Sequence, residues 1–317
     1  MKLIFLDAST LDRGDIDFGP LEKEGSLTLY PTTSPDQTNE RVKDAEVIIS
    51  NKAPVTAAVL DAAPSLKLVV SAATGVNQID LDACRSRHIA VANVAGYSTE
   101  SVAQHTFSLI LELATRTTTY ASKVQQDWPI SPIFTRLDHP TFELSGKTLG
   151  IVGLGTIGRA VARIAEAFGM KVIALARDGS PSEGTIPRIT EAGFLSQSDI
   201  ISLHCPLTPE TQHFINAARL SAMKPGAFLI NTSRGPLIEE ASLIEALRSG
   251  HLAGAGLDVL AVEPPPADHP LLAEDIPNLL ITPHTAWSTR EARTRLLEGI
   301  AANIRSFKSG ETLNRIV

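Results

Sequence analysis

The chain has little cysteine, no cluster of positive charge and no long apolar run. Only 2 cysteines occur in 317 residues. Cys84 and Cys205 lie far apart and in no Cys-x-x-Cys or Cys/His spacing, so the sequence offers neither a disulfide framework nor a metal site. Both read as small buried hydrophobes. The formal net charge is −7, with Lys and Arg scattered among acids, so nucleic-acid binding has no electrostatic footprint. No stretch approaches the ~20 apolar residues of a membrane span. The apolar opening Met1–Leu6 meets Asp7 too early to form a signal-peptide core. Neither a nucleic acid nor a membrane is expected as a partner, and the cytoplasm is the default compartment.

The content that remains is that of a folded protein: 43% hydrophobic and 20% charged, ordinary for a globular chain. A length of 317 residues predicts about two domains. Apolar runs of strand length alternate with helix-period segments, the pattern of parallel sheets covered on both faces. Lys2–Asp7, Leu27–Tyr30, Val47–Ser50, Leu68–Ser71 and Ala90–Asn93 read as strands of a first unit. Thr38–Asp44, Thr56–Ala63 and Leu81–Arg87 read as helices between them. A second series, Thr148–Val152, Lys171–Ala176, Ile200–His204, Phe228–Asn231, Ala253–Asp258 and Leu279–Thr282, alternates with helices over Ile157–Phe168, Glu210–Asn216, Ala217–Met223 and Glu240–Ser249. Long helices over Thr99–Ala114, with Ser98 as N-cap, and Thr289–Lys308 are read as the crossings between domains. The expected fold is therefore α/β, with two Rossmann-like doubly wound parallel-sheet domains and a cleft between them. Residues 1–98 plus 289–317 would form the substrate domain, discontinuous and flavodoxin-like, and residues 99–288 the dinucleotide-binding domain. The segment Gln126–Pro140 breaks the periodicity with three prolines; a loop of this length is commonly functional or an interface arm.

One motif stands out in the second series. The apolar run Thr148–Val152 enters Gly153-Leu-Gly155-Thr156-Ile157-Gly158 and then an amphipathic segment, which is strand, glycine turn, helix. The first glycine makes the tight turn, the second lets a pyrophosphate approach the backbone and the third lets helix pack on strand. The helix N-terminus then offers unpaired N–H groups to the anion. The first unit has no such motif after its opening strand, so it can take a similar shape without binding a nucleotide.

Three segments place polar residues just beyond strands of the second series, where doubly wound folds bind ligands: Asn231-Thr-Ser-Arg234-Gly235, Asp258-Val-Leu-Ala-Val-Glu263-Pro264 and Thr282-Pro-His284. Singly, each has an ordinary reading: a solvated arginine, a loop acid, a structural histidine. Together they supply what reduction of a 2-keto acid needs. Arginine suits a planar carboxylate and polarises a carbonyl. Histidine titrates in the range required of a proton donor, and a carboxylate bonded to the imidazole would orient it.

These segments resemble the D-isomer-specific 2-hydroxyacid dehydrogenases over essentially the whole chain, together with Ala73-Thr-Gly-Val-Asn-Gln-Ile-Asp80 and Leu203-His-Cys-Pro-Leu-Thr208. By that resemblance Arg234 binds substrate, His284 is the acid/base and Glu263 its charge partner. The amides around Thr74, Gly75 and Val76 hold the substrate carboxylate. The glycine turn with Thr156 and Ile157, the strand end at Ala176-Arg177, Cys205-Pro206 with Thr211, and Thr232, Asp258 and His284 line the cofactor. Within the family the chain is most similar to bacterial glycerate dehydrogenases, which act as hydroxypyruvate reductases. The features concerned are Ala72–Asn77, Trp128 with the Ser-Pro that follows, and His284–Arg293. Thr74 stands where phosphite-oxidising relatives carry lysine. Ser71–Ala73 lacks the arginine of phosphoglycerate dehydrogenases. A small unphosphorylated substrate follows, hydroxypyruvate or glyoxylate, together with a homodimer. Lys52 reads either as a surface lysine or as a group reaching the cleft. Two rivals stay open: a dehydrogenase of larger branched or aromatic 2-keto acids, and a non-enzymatic NAD(H)-sensing protein similar to the family's corepressors.

The cofactor strand departs from one pattern. NAD-specific domains end their second strand in an acid about 20 residues past the glycines; that position here is Ala176, followed by Arg177. Loss of the carboxylate and gain of a guanidinium favour NADP over NAD. Asp178 keeps NAD open through a one-residue shift.

Overall fold

The computed structural model describes residues 1–176 and 185–317. In chain order its elements are β1 (Lys2–Phe5), α1 (Gly19–Glu22), β2 (Ser26–Leu29), α2 (Pro35–Val42), β3 (Val47–Ser50), α3 (Ala57–Asp61), β4 (Leu68–Ser71), α4 (Leu81–Ser86) and β5 (Ala90–Ala92). There follow α5 (Thr99–Thr115), α6 (Thr117–Asp127), β6 (Thr148–Val152), α7 (Thr156–Ala167), β7 (Lys171–Leu175), β8 (Arg188–Ile189), α8 (Glu191–Gln197), β9 (Ile200–Leu203) and α9 (Ala217–Ala222). The last are β10 (Ala227–Asn231), α10 (Glu240–Arg248), β11 (Leu252–Leu257), β12 (Leu279–Ile281) and α11 (Arg290–Lys308). The chain divides into two compact units, Met1–Ser98 with Trp287–Val317, and Thr99–Ala286.

The first unit is a parallel sheet of order β2-β1-β3-β4-β5. Side chains alternate between its faces with the period of two that strands impose. Leu3, Phe5, Val47, Ile49, Leu68 and Val70 pack on one side with Leu296, Ile300 and Ile304 of α11. Ile4, Leu6, Ile48, Val69 and Val91 pack on the other with Val42, Leu60 and Cys84. Strands buried on both faces are why these segments read as continuous apolar runs. The sheet reverses direction between β1 and β3, the place where a doubly wound fold would bind a ligand. That place is filled from within. Asp7, 4% exposed, accepts from the N–H groups of Asn51 (2.9 Å), Lys52 (2.6 Å) and Ala53 (2.9 Å). The carboxylate occupies the donors that would otherwise face an anion.

The second unit is a parallel sheet of order β12-β11-β10-β9-β6-β7-β8. One face packs on Phe107 and Ile110 of α5 and Val161 and Ala165 of α7. The other packs on Phe194, Leu220, Leu243 and Leu247 of α8, α9 and α10. The chain reverses at β6, so the turn after β6 lies at the switch point of this sheet.

One local reading is corrected, and several elements went unread. Glu210–Asn216 is not a helix but a series of turns. The Thr211 hydroxyl takes the Thr208 N–H (2.7 Å) and donates to the Pro206 carbonyl (2.7 Å), so side-chain bonds replace the helical ladder. The helix begins only after Asn216, whose side chain accepts from Arg219 N as an N-cap. Helix α5 stops at Thr115 because Arg116 adopts a left-handed φ of 56°, and the unread α6 starts anew in a stretch with no apolar stripe to announce it. The edge strand β8 and helix α8 were not foreseen either, since two residues of strand carry no period.

Candidate active site

The glycine turn after β6 is built by contact. Gly153 has φ +96°, and a Cβ there would stand 2.6 Å from Cys205 N. A Cβ on Gly158 would stand 2.2 Å from the Gly153 carbonyl oxygen; glycine alone lets α7 close over the turn. Gly155 is different, for a Cβ there would meet nothing within 4 Å. The side facing Gly155 is open space. Arg159 N donates to Gly155 O at 2.9 Å, which leaves the amides of Thr156 and Ile157 at the head of α7 ahead of the helical ladder. Room at Gly155, first-turn donors and the positive end of a 12-residue helix fit the pyrophosphate of a dinucleotide. When bound, that cofactor supplies a hydride donor or acceptor to the site.

Other residues expected along the cofactor are placed as follows. Cys205 is buried, with its thiol pushed up by desolvation, and its carbonyl takes the Ser233 hydroxyl at 2.7 Å. Pro206 is exposed, and its carbonyl and Thr211 close the turn described above. Thr232 follows β10, nearly buried, with its hydroxyl 3.0 Å from that of Thr106 on α5. Ala176 is exposed at the end of β7, and its N–H donates to Ile189 O at 2.8 Å. Arg177 and Asp178 lie outside the described residues.

Arg234, Glu263 and His284 follow β10, β11 and β12, three neighbouring strands of one sheet. The His284 Nδ1 and Glu263 Oε2 are 2.7 Å apart. A carboxylate only accepts, so Nδ1 carries the hydrogen and Nε2 is left as the nitrogen that exchanges a proton. Glu263 Oε1 is held by Leu260 N at 3.0 Å. His284 adopts a left-handed φ of 53°, uncommon for a residue with a Cβ, and its N–H is shared between Asp258 O (2.8 Å) and Thr282 O (2.9 Å). Both side chains are about one-third exposed or less, so the pair is ordered yet reachable.

Arg234 is not bonded to that pair. It is half-buried, its Nη1 donates to Ser233 O at 2.7 Å, and it has no acidic partner among the described residues. Its segment is fastened by Asn231, which donates Nδ2–H to Arg234 O (2.9 Å) and accepts from Ser233 N (3.0 Å). A Cβ on Gly235 would lie 1.9 Å from the Leu260 carbonyl carbon, so this glycine lets the Arg234 segment touch the loop that carries Glu263. A half-buried guanidinium without a counterion is suited to an anionic ligand.

Asp258 is 1% exposed. Its Oδ1 accepts from the Thr282 hydroxyl (2.6 Å) and Thr285 N (2.9 Å), and Oδ2 from Ala286 N (2.8 Å). The carboxylate is thus spent on the loop bearing His284. On the first unit, Thr74–Val76 follow β4. Their carbonyls are occupied: Asn93 Nδ2 donates to Thr74 O (2.6 Å), Ser71 Oγ to Gly75 O (2.6 Å) and Ile79 N to Val76 O (3.0 Å). Their three N–H groups find no acceptor among the described residues, so the loop presents donors alone, as a cradle for a carboxylate would.

Residues 107–286 match the family described as D-isomer specific 2-hydroxyacid dehydrogenase, NAD binding domain. The chain belongs to the D-isomer-specific 2-hydroxyacid dehydrogenases. It is similar to a glycerate dehydrogenase of Methylorubrum extorquens, 40% identical over 99% of this chain and 98% of that one. It is similar also to a hydroxypyruvate reductase of Blautia hydrogenotrophica, 39% identical over 99% of both. Among solved structures, a D-lactate dehydrogenase from Aquifex aeolicus complexed with NAD and lactic acid shares 32% identity at a TM-score of 0.84, covering 100% of this chain and 99% of that one. This dehydrogenase therefore uses a nicotinamide cofactor and carries two parallel α/β sheets. Asn231 and Gly235 were named from the sequence only as parts of a motif, without a role, and Ser101 and His105 were given none. The only signal for the last pair was a polar i,i+4 spacing inside an apolar helix.

Proposed function

We propose that this dehydrogenase reduces a small 2-keto acid, hydroxypyruvate or glyoxylate, to the D-2-hydroxy acid, reversibly. The observation that carries the reading is the 2.7 Å Glu263–His284 pair, on the same sheet edge as an arginine that has no acidic partner among the described residues. Arg234 receives the substrate carboxylate and polarises the keto oxygen, while the amides of Thr74, Gly75 and Val76 supply further donors to the carboxylate. The keto carbon receives its hydride from the C–H bond of a bound reduced nicotinamide; as the carbonyl electron pair moves to oxygen, His284 Nε2 delivers the proton that completes the hydroxyl. Glu263 stabilises the imidazolium before transfer. Names of relatives at about 40% identity, glycerate dehydrogenase and hydroxypyruvate reductase, support a small substrate.

NADP is favoured over NAD because Ala176 sets no carboxylate against a 2′-phosphate. A second copy of the chain is inferred to cover the exposed apolar arm after α6, and the cytoplasm, with its pool of nicotinamide, is the inferred compartment. The test is a panel of small, branched and aromatic keto acids with NADPH and NADH, followed at the nicotinamide band. Hydroxypyruvate or glyoxylate should give the highest kcat/KM, and NADPH should outperform NADH. His284→Ala should lower kcat by about 10²–10⁴-fold while cofactor binding persists. Near wild-type turnover in that variant would sink the assignment.

A further inference from the structure

Helix α5 carries Ser101 and, one turn on, His105 with Thr106 beside it; residues four apart share a helix face. Each of the three reaches a strand-end loop. Ser101 donates its hydroxyl hydrogen to Ala286 O at 2.5 Å. The His105 Nε2 lies 2.9 Å from the Thr282 hydroxyl and 3.4 Å from Asp258 Oδ1. Thr106 meets Thr232. Residues 282 and 286 bracket His284, so α5 grips the catalytic loop on both sides of its proton donor.

The direction of the bonds follows from counting hydrogens. Thr282 has one hydroxyl hydrogen and stands 2.6 Å from Asp258 Oδ1, an atom of a carboxylate that also accepts two backbone N–H groups. The hydrogen therefore goes to Asp258. The Thr282 lone pair then accepts from His105, which must bear its hydrogen on Nε2. The chain of bonds runs one way, from His105 through Thr282 to Asp258, and Asp258 in turn holds the amides of Thr285 and Ala286. His284, at the centre of this loop, keeps an uncommon left-handed backbone, and such a conformation persists only where its surroundings over-determine it.

We propose that His105 is a positioning residue for the reduction: its Nε2–H, relayed by Thr282 to Asp258, holds the loop in which His284 meets Glu263 and aims its free Nε2. The inference rests on the proposed role of His284 as proton donor. His105 meets Thr282 and Asp258, so it acts on the reaction through the loop. A misplacement of about 1 Å can cost on the order of 10²-fold in rate.

The test compares His105→Leu, which removes the donor, with His105→Gln, whose Nε2–H can take the same place, and with Thr282→Val, in the full-length enzyme with hydroxypyruvate and NADPH or NADH. His105→Leu should lower kcat at least about tenfold, with the KM for hydroxypyruvate and the Kd for the cofactor changed by no more than a few-fold. His105→Gln should recover most of the loss. Thr282→Val should match His105→Leu, and the double variant should lose no more than either alone, as members of one chain of bonds do. Unchanged kcat in His105→Leu, equal damage in the Gln and Leu variants, or additive losses would overturn the proposal. Crystal structures of the wild type and the Leu variant decide the matter apart from turnover. If no keto acid is reduced, the functional reading fails, while the proposal still requires the Glu263–His284 bond to lengthen or break in His105→Leu. An unmoved loop there would refute it.

Discussion

The Glu263–His284 pair divides its labour by atom. One carboxylate oxygen holds the imidazole and the other is held by Leu260 N, so the acid is fixed before it fixes its partner. Glu263→Gln removes the charge together with one of the two bonds, because the amide NH2 cannot accept from Leu260 N. The amide oxygen can still accept from Nδ1–H, but the negative charge that favours the imidazolium is gone. Reduction by this variant should fall on the order of tenfold near neutrality and more steeply than the wild type toward alkaline pH. Parallel pH profiles of kcat/KM in the two proteins would remove Glu263 from the proton's control. The sequence singled out Arg234, Glu263 and His284 as candidates, because each follows an apolar run by a few positions. What could not be read is which atom bonds which. That Arg234 meets no acid among the described residues, and that Asp258 is consumed in a loop, depend on neighbours far away in the chain.

Among elements, the central strands were readable because burial on both faces makes them apolar throughout. Four residues of β9, Ile200–Leu203, are all buried. Its end carries a cost of burial that did not show in the pattern. His204 follows β9 with its imidazole against the Ser202 hydroxyl, 2.8 Å away, and desolvation lowers its pKa to about 4. A depressed histidine is neutral in the folded protein, while the unfolded chain takes up the proton below the usual value near 6.5. The stability that this group contributes is therefore complete above pH 6.5 and is lost as pH falls from there toward 4, to a total of roughly 3 kcal/mol. Urea denaturation of the wild type at pH 7 and pH 5 should show about 2 kcal/mol of that loss. In His204→Gln the difference attributable to this position should vanish, whatever the variant's stability at pH 7. An unchanged pH slope would assign the acid sensitivity elsewhere. Helices were less legible than strands where side-chain bonds compete with the ladder, as at Thr211, or where no face is buried. No residue of α6 is buried, so hydrophobic period had nothing to report there.

At the scale of the whole molecule, the exposure of α6 and of the arm that follows it asks for a partner. Phe134 is 90% and Leu137 80% exposed, with Trp128, Ile130 and Ile133 more than half exposed as well. These side chains stand on an ordered frame. Trp128 Nε1 donates to Phe134 O (3.0 Å), Arg136 to Asp127 O (3.0 Å), and Tyr120 OH both donates to His139 O (3.1 Å) and accepts from His139 N (3.0 Å). A groove of about 680 Å³ runs between α6 and the arm, lined by Tyr120, Val124, Trp128, Phe134 and Leu137. Exposed apolar patches of this kind are suited to association, here with the proposed second copy. In a two-fold dimer, that copy would offer the same patch in return. Light scattering on the eluting protein should give twice the 33.8 kDa chain mass. Phe134→Asp with Leu137→Asp should give the monomer, since neither side chain packs in a core cluster of its own chain. A monomeric wild type would refute the reading, and so would a double variant that remains a dimer.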